Sequence, residues 1–239
     1  MEFLRFFRTK NPVFILIYFL ELFVCFCSNK VIFVSETDAK MAQKFLFINP
    51  EKILVIHNRF YEQKNVKAMN VEREFNLNVH NHKKVLFFGA LDYKPNIEAV
   101  NIILNKIAPF FLNQHIVFLI AGRNNKQYSN TKNVFFLSFV PNIYRLIDSC
   151  ELVIVPLVSG SGTRLKILES IGMHTRTIST EIGAEGIDKE VCGDNLIITK
   201  NNDWKNFIEK IEFFANKEKQ ETPRHFFQKY EWHNIFCTY

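Results

Sequence analysis

Between Ser159 and Glu169 the chain reads Ser-Gly-Ser-Gly-Thr-Arg-Leu-Lys-Ile-Leu-Glu, a run whose residue types can hold an anion. Its small residues stand between an apolar, strand-like segment at 152–157 and a helical pattern. Free backbone N–H groups are expected at such a helix start, aimed at whatever lies beyond the strand end. Arg164 and Lys166 add two cations to the first turn. Cations there oppose the helix dipole, so their placement is easier to explain when a diphosphate sits opposite them. Glu169, one turn further on, can accept hydrogen bonds from sugar or ribose hydroxyls. Leu165, Leu168 and Ile171 are spaced to share the inward face of that helix. A plainer reading, a strand–turn–helix with a solvated basic face, requires none of this chemistry. A second small-residue loop, Thr180-Glu181-Ile182-Gly183-Ala184-Glu185-Gly186, follows another short apolar run at 177–179.

Those loops need a sheet to position them. Apolar runs at 84–89, 116–122, 134–137, 152–157, 177–179 and 197–199 read as buried strands. Helical patterns lie between them. One begins with Asn96 as its cap and runs to about residue 112, with Ile97, Val100, Ile103 and Ile107 inward. Others span 142–150 and 203–216, the latter with Trp204, Phe207, Ile211 and Phe214 inward. This alternation predicts an α/β fold with a doubly wound, mostly parallel sheet. Ligands of such sheets sit beyond the carboxyl ends of the strands. The loops at 89–96, 121–124 and 159–163 would converge there.

The 239 residues are 48% hydrophobic and 23% charged, enough to bury a real core and unlike a disordered chain. The net charge of +6 favours an anionic partner. No basic run is interleaved with aromatics on one element, which argues against a nucleic-acid partner. The cysteines Cys25, Cys27, Cys150, Cys192 and Cys237 are odd in number and scattered, as suits a reducing, cytoplasmic compartment. Cys25 and Cys27 lack a second ligand pair and read as apolar fillers, not metal ligands. The apolar stretch Val13–Cys27 is broken only by Glu21 and preceded by Arg5, Arg8 and Lys10. It lacks a small-residue cleavage site and falls short of the roughly 20 residues a membrane span needs. It is expected to be a mostly buried helix feeding a strand at 31–35. A segment lying on or weakly spanning a membrane is the alternative.

Gly-Ser-Gly-Thr-Arg-Leu-Lys-Ile-Leu-Glu, then eleven residues from Glu169 to Thr180, then Gly-Ala-Glu-Gly-Ile together resemble the nucleotide-sugar half of a family-4 glycosyltransferase (glycosyl transferases group 1) of the GT-B fold. The resemblance runs from about residue 31 to about residue 236. It implies a nearly complete Rossmann-like C-terminal donor domain at 83–216, preceded by a partial N-terminal Rossmann-like domain. Residues 1–58 would be the remnant of that acceptor-side domain, 59–82 the linker, and 217–239 a helix returning toward the first domain.

By the resemblance, Gly89 and Lys94 approach the diphosphate, Gly122 lines the rim, and Val140 borders the base. The amides of Ser161, Gly162 and Thr163, with Arg164 and Lys166, would hold phosphate and donor sugar, and Glu169 the ribose. Arg164, Lys166 and Glu169 form the implied catalytic set. The implied reaction is retaining transfer from a nucleotide-diphosphate sugar, the leaving phosphate assisting on the same face, with no protein nucleophile, metal or cofactor. The acceptor is expected to be a glycan or a lipid-linked molecule, with the chain peripheral at a membrane surface.

Three departures stand out. Ser161 replaces the earlier of two glutamates common in the family, Pro95 falls where a phosphate lysine is usual, and His174 and Arg176 replace a glycine and a proline. His174 would then end its helix in a strained or altered turn. A donor-binding or scaffolding subunit that needs a partner chain, and a nucleotide-sugar epimerase of the same fold, fit the same residues.

Overall fold

Apolar runs become parallel strands in the computed structural model, which describes residues 12–56, 58–61, 63, 66–123, 128–137, 139–160 and 164–232. The chain divides into two units, residues 1–58 and 59–239.

The first unit is helix α1 (Val13–Cys27), strand β1 (Val31–Phe33), helix α2 (Glu36–Leu46) and strand β2 (Ile53–Val55). The two strands pair in parallel, Val31 opposite Ile53. Ser35 caps α2 by accepting from the Asp38 N–H at 3.1 Å. Glu36 and Asp38 in its first turn and Lys44 in its last suit the helix dipole. Ala42, Leu46 and Ile48 form a small core against Tyr18, Leu22, Cys25, Val31, Phe33 and Ile53.

Helix α1 departs from expectation. No residue of it is buried. Its Tyr18–Leu22–Cys25 stripe meets the small core, whereas Leu16, Phe19, Leu20, Phe23 and Phe26 are each at least 60% exposed. The run is apolar on all sides, but this unit supplies only one thin layer to cover it. No helix among the described residues is long and apolar enough to cross a membrane.

In the second unit, α3 (Val71–Phe75) precedes six strands: β3 (Lys83–Phe88), β4 (Ile116–Ala121), β5 (Val134–Leu137), β6 (Leu152–Val155), β7 (Thr177–Thr180) and β8 (Leu196–Thr199). Helices α4 (Lys94–Ile102), α5 (Ile143–Asp148), α6 (Leu165–Gly172), α7 (Lys189–Cys192), α8 (Trp204–Ala215) and α9 (Arg224–Tyr230) complete it. All strand pairs are parallel, in the order β5-β4-β3-β6-β7-β8. That is the doubly wound order, with its reversal between β3 and β6. Every residue of β4 and β6 is buried, as expected of central parallel strands.

Two local details differ from expectation. Helix α4 starts at Lys94, with Pro95 in its first turn, so Asn96 is helical and does not cap it. It continues through a π-helical turn, Ile103–Ile107, and a 3₁₀ turn, Ala108–Phe111. Residues 59–82, read as a linker, contribute Phe60, Met69, Val71 and Val79 to the main core, and Asn70 caps the short α3. Helix α9, expected to return toward the first domain, makes several of its bonds within the second unit. Its Tyr230 carbonyl accepts from the Phe60 N–H at 3.0 Å, and the Tyr230 hydroxyl accepts from the Asp188 N–H at 2.9 Å.

Candidate functional site at the sheet rim

The reversal between β3 and β6 sends the loops that follow those two strands to opposite sides, the place where a parallel sheet of this order holds a ligand. Gly89 leaves β3 with φ +150°, a conformation that side chains rarely adopt. Its N–H donates to the Ala121 carbonyl at the end of β4 (3.0 Å). A Cβ on Gly89 would lie 2.8 Å from Asn96 Nδ2 and 3.2 Å from Lys166 Nζ. Gly122, directly after β4, is tighter still: a Cβ there would lie 1.9 Å from the Gly89 carbonyl oxygen. The two glycines therefore let two strand ends touch backbone to backbone beneath the rim. Val140, in the loop after β5, is buried in the core.

After β6 the chain runs to α6. Ser161, Gly162 and Thr163 lie outside the described residues, as does Asn124. Gly160 has φ +100°, and a Cβ on it would lie 3.2 Å from both terminal guanidinium nitrogens of Arg164 and from Pro95 Cγ. Arg164 thus fills the space that a bare glycine leaves, beside the proline standing where a lysine is usual. It is 8% exposed. Burial depresses its pKa, partly offset by the nearby Glu185 and Tyr93. Ser159 anchors the same loop by donating to the Glu98 carboxylate on α4.

Lys166 turns its ammonium toward α4 and β3. It donates to Asn96 Oδ1 at 3.0 Å and stands 4.4 Å above the Phe87 ring of β3. Burial, with the repulsion of Arg164, brings its pKa down to about 7 against the pull of Glu169. Glu169 lies one turn along α6, its pKa raised by burial and restrained by the Tyr144 hydroxyl, which donates at 3.4 Å, and by Lys166. Tyr144 in turn is pushed up to about 12, chiefly by burial. The inward stripe of α6 is Ile167, Leu168 and Ile171, while Leu165 is 46% exposed, contrary to its expected place. The helix begins at Leu165, and rotating that residue outward is what aims Lys166 at Asn96.

Lys94 stays out of this buried group. Its side chain is 85% exposed, 4.0 Å from Glu98. His174 does end α6 in a left-handed backbone (φ 56°), held by its Nδ1 accepting from the Thr222 N–H at 3.1 Å. Among the described residues, no group of three or more His, Cys, Asp or Glu side chains is placed to hold a metal ion. The sequence reading missed Asn96, Tyr144 and Glu185 as neighbours of the charged set. Glu185 had a signal, its place in the second small-residue loop; Tyr144 had none.

A family model described as glycosyl transferases group 1 matches residues 82–217, more than half of the chain. The chain belongs to that family. An uncharacterized 44.6 kDa protein in the cps region of Klebsiella pneumoniae is 25% identical over 209 residues, 82% of this chain and 52% of that protein. The chain thus spans about half the length of this curated relative. The fold is similar to that of a glycosyltransferase from Rickettsia africae, with TM-score 0.70 at 14% identity over 87% of this chain and 61% of that one. It is also similar to HepE from Anabaena, solved in complex with UDP-glucose, with TM-score 0.63 at 17% identity over 85% of this chain and 60% of that one. These neighbours share the GT-B glycosyltransferase fold, and the six-stranded parallel sheet of this family member matches it.

Proposed function

We propose that this chain binds a nucleotide-diphosphate sugar at the rim between β3 and β6 and acts in retaining transfer of the sugar. One observation carries the reading. The fold holds two cations, Arg164 and Lys166, at the start of one helix, where burial disfavours both charges. A diphosphate opposite them would relieve that cost and gain charge-assisted hydrogen bonds. Negative charge grows on the leaving diphosphate as the glycosidic bond breaks, so donors fixed beforehand lower the barrier there. Glu169, held by Tyr144, is suited to accept from ribose hydroxyls. The acceptor is a glycan or a lipid-linked molecule, and the exposed apolar residues of α1 support contact with a membrane surface. The UDP-glucose in the Anabaena neighbour makes a uridine donor the first to try.

Calorimetry with UDP-, GDP- and ADP-sugars tests the reading: one of them is expected to bind, and binding by none would refute it. Arg164→Ala is expected to weaken that binding by about 1.5–3 kcal/mol, the worth of hydrogen bonds between charged groups shielded from water. Unchanged affinity would remove Arg164 from the site.

The acidity of Lys166 adds a pH signature. Its pKa in the free protein is about 7. The diphosphate favours the ammonium, so affinity is expected to be flat below pH 7 and to fall as pH rises above it. The decline should approach tenfold per pH unit, because binding then takes up one proton. Affinity constant from pH 6 to pH 9 would exclude Lys166 as a phosphate partner.

A second reading rests on α1. Its exposed Phe19, Leu20, Phe23 and Phe26 suit a chain that is completed by a partner polypeptide and supplies only the donor half. Transfer seen only after a second chain is added would favour it.

A further inference from the structure

We propose that Asn96 is the positioning residue of the Lys166 ammonium, holding it over the rim through a carboxamide bridge between the loop after β3 and helix α6. The proposal rests on the donor-binding reading for its consequence, but not for its geometry.

Asn96 lies seventy residues from Lys166 in the chain and is only 6% exposed. Its Nδ2 donates to the Ala90 carbonyl at 2.8 Å, and its Oδ1 accepts from Lys166 Nζ at 3.0 Å. A carbonyl can only accept and an ammonium can only donate, so these two partners leave the amide one orientation. Gly89 is bare where a Cβ would strike both Asn96 Nδ2 and Lys166 Nζ, which keeps the bridge closed. Pro95, next in the chain, fixes the first turn that carries Asn96 and packs close to the Gly160–Arg164 contact.

Asn96 touches neither diphosphate nor sugar in this account; it acts through Lys166. The charged groups acting on that ammonium are Arg164, which opposes its charge, and Glu169, which favours it. Glu185 and Tyr93 act on Arg164, and Tyr144 on Glu169. Around the ammonium, β3 contributes the Phe87 ring and α4 contributes the neutral Asn96. A neutral acceptor holds the charge in place without cancelling it, whereas a carboxylate there would compete with a diphosphate.

The test uses the full chain labelled with ¹³C at lysine Cε, the Lys166 signal being assigned through Lys166→Arg. Its titration midpoint is followed by NMR in the wild type, Asn96→Ala and Asn96→Asp, and UDP binding is measured on the same samples. Removing the acceptor in Asn96→Ala should lower the midpoint by about one unit. The carboxylate of Asn96→Asp should raise it by about 1–3 units. Both variants should bind UDP about tenfold more weakly at pH 7, the first through a misplaced ammonium and the second because the new carboxylate repels the diphosphate and competes for the ammonium. A merely structural Asn96 would lower the melting temperature in both variants without opposite movements of the midpoint. Should Asn96→Ala fail to fold, the near-isosteric Asn96→Asp alone decides through the upward shift. A midpoint unmoved by either variant overturns the proposal. Opposite shifts in the two variants, with a wild type that binds no UDP, GDP or ADP, would uphold the bridge and overturn the donor-binding reading.

Discussion

Lys166→Met is expected to lower affinity for the nucleotide diphosphate about 100-fold or more while making the ligand-free protein more stable. The first effect follows from removing an ammonium that would meet the phosphates in a shielded crevice. The second follows from the same burial. Folding draws the Lys166 pKa from 10.5 down to about 7, so the charged form opposes folding. Its sign is fixed by proton counting. Between pH 7 and 10.5 the unfolded chain binds the extra proton, so wild-type stability rises with pH across that window. Below pH 7 the cost is present in full. An apolar replacement of similar length removes it, a gain reduced by leaving the Asn96 carbonyl oxygen without its ammonium donor. Thermal melts at pH 6 and pH 9 check this: the gain of Lys166→Met should be larger at pH 6. A variant less stable at both values would mean that the ammonium is not desolvated against Phe87 and Gly89.

Gly122→Ala is expected to cost about 3 kcal/mol or more of stability. The added methyl would lie 1.9 Å from the Gly89 carbonyl oxygen and 3.0 Å from Leu91 Cγ. The first neighbour is backbone and cannot rotate away. Gly89 is also tied to Ala121 through its N–H, so relief requires separating the ends of β3 and β4. Overpacking of this kind against backbone belongs to the severe class of substitutions. For a domain of this size the melting temperature should fall by roughly 6–12 °C. A drop of about 2 °C or less would show that the two strand ends are not in contact.

Much of the fold was legible from the chain alone, for a physical reason. Parallel strands covered on both faces must be apolar throughout, so runs such as 116–122 and 152–157 announce themselves. The switch-point crevice then follows from strand order, and with it the places of Gly89, Gly122 and Arg164. Local polar chemistry was harder to read. Asn96 has the residue type of a helix cap, but Pro95 already sets the start of α4, and the freed side chain bridges to a lysine seventy positions away. Nothing in periodicity reports a contact at that separation. Leu165 was assigned inward by its three-residue spacing to Leu168, but the buried stripe runs through Ile167, Leu168 and Ile171. Helix α1 was misjudged because composition shows that a segment is apolar without showing what covers it.

Pro95 packs close to the Gly160–Arg164 contact, so charge at the rim comes from α6. Lys94, beside it, remains in solvent with Glu98.

A crystal structure of the chain with bound UDP tests the central claim most directly. Diphosphate oxygens are expected within about 3 Å of the Arg164 guanidinium and the Lys166 ammonium, at the rim between β3 and β6. A diphosphate bound elsewhere, or one at the rim with both cations turned from it, would contradict the account.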